Sequence, residues 1–72
     1  MKDIVLSKQP VELYKILKFE GIAQSGGAAK VAISEGLVSV NGEIETRKRR
    51  KIVAGDIIEI EGHKFCTQLS EE

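Results

Sequence analysis

"SGGAAKVAISEGLVSVNGE", residues 25–43, changes its hydrophobic period halfway along. The first half carries Ala29, Ala32 and Ile33 on one helical face. It opens on Ser25, suited to accept a backbone N–H at a helix start, and closes on Gly36, suited to the position just past a helix end. This predicts a helix over "SGGAAKVAISEG", with small residues that let another helix pack closely. From Leu37 the period becomes two, and the run reaches Asn41-Gly42 before "EIET". Both central residues of a type I′ turn need positive φ, so this dipeptide between two alternating runs predicts a tight hairpin over 37–46.

Upstream, "PVELYKILKFEG" predicts a first helix, with Pro10 at its first position and Gly21 just past its end. Val11, Leu13, Tyr14 and Leu17 recur at the spacing of one buried stripe, and Lys15 and Lys18 share the opposite flank. Before it, "DIVLS" (3–7) reads as an edge strand with Ile4 and Leu6 on one face and Val5 on the other. Downstream, Ala54-Gly55-Asp56 reads as a turn, and "IIEIE" alternates Ile58 and Ile60 against Glu59 and Glu61. Gly62 then turns into a last strand, "HKFCTQ". The order is strand, helix, helix, hairpin, loop, hairpin. It predicts an α+β fold, two packed helices on a small twisted antiparallel sheet.

Seventy-two residues, 42% of them hydrophobic, suit one small domain over 1–72. A chain of this size buries only about 60% of the surface its unfolded form exposes, which leaves little room for a catalytic cavity. Cys66 is the sole cysteine, so the chain builds no internal disulfide or thiolate metal cage, and the expected setting is reducing and cytoplasmic. "MKDIVLSKQP" lacks the features of a signal peptide and no apolar run is long enough for a membrane span, so a soluble, unprocessed protein is expected.

The formal net charge is zero, yet five of the eleven cationic residues stand together in Arg47, Lys48, Arg49, Arg50 and Lys51. The rest of the chain is correspondingly acidic. Salt screens charge beyond roughly 8 Å, so the block can attract a polyanion despite the zero total. It leaves the second strand of the Asn-Gly hairpin and re-enters the sheet, which restrains both its ends, as in many binding loops. Such a block reads as a nucleic-acid patch, while a solvated connection or a nuclear-localisation signal stays open on residues alone. If the run is extended, Arg47, Arg49 and Lys51 share one face, and Lys48 and Arg50 the other. The arginines suit shaped, bidentate phosphate contacts and the lysines general attraction.

Ser25-Gly26-Gly27 presents backbone N–H groups at a helix start, either as an anion site or as simple capping, and without the Lys-Ser/Thr pair of a P-loop. Lys15, Lys18 and Lys30 read equally as phosphate contacts or solvated helix residues. Tyr14, Phe19 and Phe65 are expected in the core, with the Tyr14 hydroxyl reaching solvent. With no exposed aromatic platform, recognition of folded RNA by shape is favoured over single-strand stacking. His63 and Cys66, three apart on a strand, point to opposite faces and form no dyad. Glu43, Glu45, Glu59 and Glu61 read as the solvent face of the sheet. No catalytic residue, metal, cofactor or small-molecule substrate is expected.

Taken together, "QSGGAAK", "GLVSVNGE", "ETRKRRKI" and "VAGD" make residues 9–62 resemble the S-four RNA-binding domain, or alpha-L motif, named for the small-subunit ribosomal protein. More narrowly, they resemble its small stand-alone bacterial members of the YbcJ and YaaA kind. Ser25, Ala29, Lys30, Gly36, Val38, Val40, Asn41 and Gly42 match the family pattern. Gly26 and Glu12 stand where many members have arginine, and the dense loop is expected to take over that electrostatic work. The resemblance implies a non-enzymatic, cytoplasmic, ribosome-associated bacterial protein that binds structured RNA, ribosomal or transfer. The expected contacts are Lys15, Lys18, Ser25, Lys30, Arg47, Lys48, Arg49, Arg50 and Lys51. The runner-up is an assembly module that docks an acidic protein.

Overall fold

Asn41 and Gly42 have φ of 53° and 86°, the paired positive values of a type I′ turn, in the computed structural model of the protein, which describes residues 1–71. The turn joins β3 (Val38–Val40) to β4 (Glu43–Ile44), with Val40 opposite Glu43. Glu61 and Gly62, at 52° and 80°, repeat the device between β6 (Ile57–Ile60) and β7 (His63–Leu69), where Ile60 pairs with His63. With β1 (Lys2–Leu6) these strands form one sheet in the order β1-β7-β6-β3-β4.

That sheet is mixed, not wholly antiparallel as expected. β1 runs parallel to β7, from Lys2 opposite Phe65 to Leu6 opposite Leu69. Alternation of apolar residues shows which face of a strand is buried but not the direction of its neighbour. Ile4 and Leu6 are buried and Val5 is exposed, as the alternation predicts.

The first helix starts later than Pro10 suggests. The Gln9–Pro10 peptide is cis, and Val11–Glu12 form a short strand, β2, before α1 (Leu13–Phe19). β2 pairs antiparallel with β5 (Lys51–Ile52) in a second, two-stranded sheet, so the basic run re-enters there and not in the main sheet. The first N–H groups of a helix have no partner within it. Here Leu13 N–H donates to the Arg50 carbonyl at 2.9 Å and Tyr14 N–H to the Lys48 carbonyl at 3.2 Å. The loop leading into β5 caps the helix, where proline was expected to begin it.

The second helix, α2 (Gly26–Ser34), is capped as predicted: Ala28 N–H donates to Ser25 Oγ at 3.1 Å. One apolar core joins Leu13, Ile16 and Leu17 of α1 and Ala29 and Ile33 of α2 to Ile4, Val38, Val40, Ile52, Ile58 and Ile60 of the strands. Phe65 packs against it, but Phe19 does not: it is 69% exposed. It lies two residues past Leu17, roughly 200° around the helix from the buried stripe. Among the described residues no helix is long and apolar enough to cross a membrane.

Asn41 also links the β3–β4 turn to the turn that precedes β6. Its Nδ2 donates to Asp56 Oδ1 at 3.0 Å and its Oδ1 accepts from Ile57 N–H at 2.9 Å. Asp56 Oδ2 accepts from Val53 N–H at 2.9 Å, closing the predicted 54–56 turn. Asn41→Ala removes these bonds and strains a left-handed residue, so urea denaturation should show a loss of about 2 kcal/mol with an unchanged slope. Asn41→Gly, which keeps the backbone unstrained, should lose less.

Candidate nucleic-acid interface

β4 ends at Ile44, and there the expected alternation reverses: Ile44 is exposed and Glu45 is only 6% exposed. Glu45 N–H still donates to the Val38 carbonyl at 2.9 Å, so its backbone prolongs the hairpin while its side chain turns inward. A carboxylate removed from water needs partners. Glu45 Oε2 accepts from Arg47 N–H and Nε, and Oε1 from Arg47 Nη2, all at 2.9 Å; Arg50 Nη1 adds a 2.8 Å bond to Oε1. Hydrogen bonds from Arg47, then Arg50, hold the carboxyl far below its ordinary value near 4.5, against a weaker opposing push from burial. Glu45 is therefore the internal anchor of the basic loop, not a solvent-face residue.

The loop is a turn and not an extended segment. Arg50 N–H donates to the Arg47 carbonyl at 3.2 Å, folding Lys48 and Arg49 back, so the expected split of the run into two alternating faces does not occur. The carbonyls of Lys48 and Arg50 face α1 and cap it. The loop is thus held by a buried carboxylate on one side and a helix start on the other.

Tyr14 gathers three cations. It is half-buried against the core, and its ring has Lys30 Nζ at 4.6 Å, Arg49 Cζ at 5.4 Å and Lys15 Nζ at 6.0 Å from the centroid, within reach of cation–π attraction. A Cβ placed on Gly26 would lie 3.8 Å from both this ring and the Lys18 stem, so the start of α2 rests directly against α1. Glu12 takes Lys15 at 3.3 Å and, loosely, Arg49 at 3.4 Å. Partial burial pushes the Glu12 carboxyl up, but these two cations more than offset it and hold it below its ordinary value.

The structure therefore brings Lys15, Lys18, Ser25, Lys30 and Arg47 to Lys51 onto the surface made by α1, the start of α2 and the loop. Their commitments differ. Arg47 and Arg50 are tied to Glu45 and Arg49 to Glu12, whereas no side-chain ion pair or hydrogen bond holds Lys48 or Lys51 among the described residues. Arg47 still exposes 73% of its side chain, and Arg50 only 30%. Ser25 Oγ is occupied as the cap acceptor. Sequence reasoning did not single out Glu45, Glu12 or Tyr14 as organisers. The available signal was a carboxylate two residues before the arginine block, at the point where a two-residue strand ends.

The S4 domain profile matches residues 4–67, and the chain belongs to the S4 domain family. It is 53% identical over 64 residues to YbcJ of Escherichia coli (strain K12), named for RNA binding, covering 88% of this chain and 91% of that protein. It is 42% identical over 59 residues to RlbA of Bacillus subtilis (strain 168), named for ribosome maturation, covering 82% and 83%. The solution structure of YbcJ from E. coli, described as revealing an alpha-L motif involved in RNA binding, superposes with a TM-score of 0.71 at 49% identity. It covers 94% of this chain and 87% of that one.

A folded-state carboxyl held below its unfolded value stabilises fully above the unfolded pKa and loses that contribution as pH falls. Glu45→Gln should lower stability at pH 7 by about 2 kcal/mol, less than for a fully buried pair because Arg47 stays in solvent. Urea midpoints of wild type and variant should converge as pH drops below about 4.5.

Proposed function

We propose that this chain binds structured RNA without catalysis, through the 45–51 loop and the cations around Tyr14. The observation that carries this reading is the division of labour in the loop. Glu45 and the start of α1 fix its backbone, and Lys48 and Lys51 are left to meet a polyanion. A preorganised loop loses little conformational freedom on binding. Arg47 uses two side-chain nitrogens on Glu45, and the guanidinium keeps further N–H donors for a phosphate. Lys15, Lys18, Ser25 and Lys30 extend the surface along the helices. The names of the relatives support ribosomal RNA, with transfer RNA as the other structured class, and a ribosome-associated role in the cytoplasm.

The surface holds Glu12 and Glu45 in ion pairs and offers cations, the chemistry of phosphate recognition. The test is a fluorescence titration of an RNA hairpin, the same sequence as duplex DNA, and polyglutamate, each at two salt concentrations. RNA is expected to bind best. Lys48→Gln with Lys51→Gln should leave the melting temperature unchanged and weaken RNA binding, flattening the log–log salt slope by roughly 1.5, since each phosphate contact contributes about 0.7–0.9. An unchanged slope, or equal binding of polyglutamate, would overturn the reading, the latter in favour of an acidic protein partner. Replacing Arg47 and Arg50 together is a poorer test, because it strands the Glu45 carboxylate and should destabilise the fold.

A further inference from the structure

Phe19 is large, aromatic and 69% exposed, in a chain with only three aromatic residues. It lines a groove of about 660 Å³ between β1 and α1, within the size range of small-ligand sites. Val5, Pro10 and Val11 give this groove an apolar lining, and Lys8, Lys15 and Lys51 bring positive charge to it. Lys18 Nζ stands 5.8 Å from the centre of the Phe19 ring. Lys51 also lines the cleft formed with Arg47, Arg49 and Arg50, so the groove and the basic loop adjoin at that residue.

Aromatic and apolar surface in soluble proteins is usually withdrawn from water, and a cluster ringed by lysines fits a ligand that is flat and apolar on its faces and anionic at its edge. An unpaired nucleotide has that form: its base stacks on an aromatic ring and its phosphate meets ammonium groups. We infer that this groove takes one unpaired nucleotide of the RNA whose backbone lies on the basic loop, with Phe19 as the stacking surface and Lys51 joining the two sites. The inference rests on the RNA-binding reading and adds the feature recognised: a base displaced from, or flanking, a helix. Two carboxylates line the groove: Glu12 is paired with Lys15 and Arg49, and Glu20 stands exposed at the far end, one residue past α1.

The experiment uses two labelled RNA hairpins, identical except that one carries a single-nucleotide bulge, titrated by fluorescence anisotropy with wild type, Phe19→Ala and Phe19→Trp. Phe19 lies outside the core, so both variants should match the wild-type circular dichroism and melting temperature. Wild type should favour the bulged hairpin by about tenfold, within the contribution of stacking one base. Phe19→Ala should lose that preference while binding the fully paired hairpin as wild type does, and Phe19→Trp should retain it. Equal binding of both hairpins by wild type, or a preference that survives in Phe19→Ala, overturns the inference and leaves RNA binding standing. Binding of neither hairpin overturns both.

Discussion

The carboxylate of Glu45 makes the basic loop compatible with a fixed fold. Five consecutive cations repel one another; two unit charges about 6 Å apart do so by roughly 0.7 kcal/mol even at the dielectric of water. Left alone, such a run stays open and mobile. Glu45 sits beneath it, accepts four hydrogen bonds from Arg47 and Arg50, and closes the turn from inside. The same side chain is reached because its backbone prolongs the Asn41-Gly42 hairpin through Val38. The hairpin thus sets the loop, and the loop in turn caps α1.

Tyr14 is the second joint. Its N–H meets the Lys48 carbonyl, its ring lies under Lys30, Arg49 and Lys15, and its inner edge packs on the core. One residue therefore ties three separate segments together. Arginine serves mainly to hold the loop, since its fork can bind a carboxylate in two places at once. Lysine, a point charge on a flexible stem, is left outward. Arg47 nevertheless keeps 73% of its side chain exposed, so it holds the loop and still faces outward.

The hairpin, the second helix with its Ser25 cap, and the buried faces of β1 and β6 were legible in the sequence, because each depends on local chemistry: positive φ, capping, or a period of 2 or 3.6. So was the gathering of basic residues near the two helices. Pro10 misled because its local preference for a helix start was overridden by a strand pairing with β5, forty residues away. The direction of β1 was hidden for the same reason, since it is decided by β7; the burial of Glu45 was hidden although its partners Arg47 and Arg50 are near in sequence, because strand alternation put its side chain on the solvent face. "VSVNG" and "VAGD" proved informative in an unexpected way: Asn41 and Asp56 bond to each other, so these matching stretches report the architecture.

Among the described residues β1 is joined to the sheet only by its parallel pairing with β7, the last strand of these. A ribosome emits residues in order, so β1 must wait, unpaired, until some sixty further residues have followed it. Hairpins, helices and the capped loop can all assemble in that interval from nearer neighbours. The wall that β1 gives to the Phe19 groove thus rests on a closure of about sixty residues, against about forty for the β2–β5 pairing that carries the loop, and the longer closure is expected to form last.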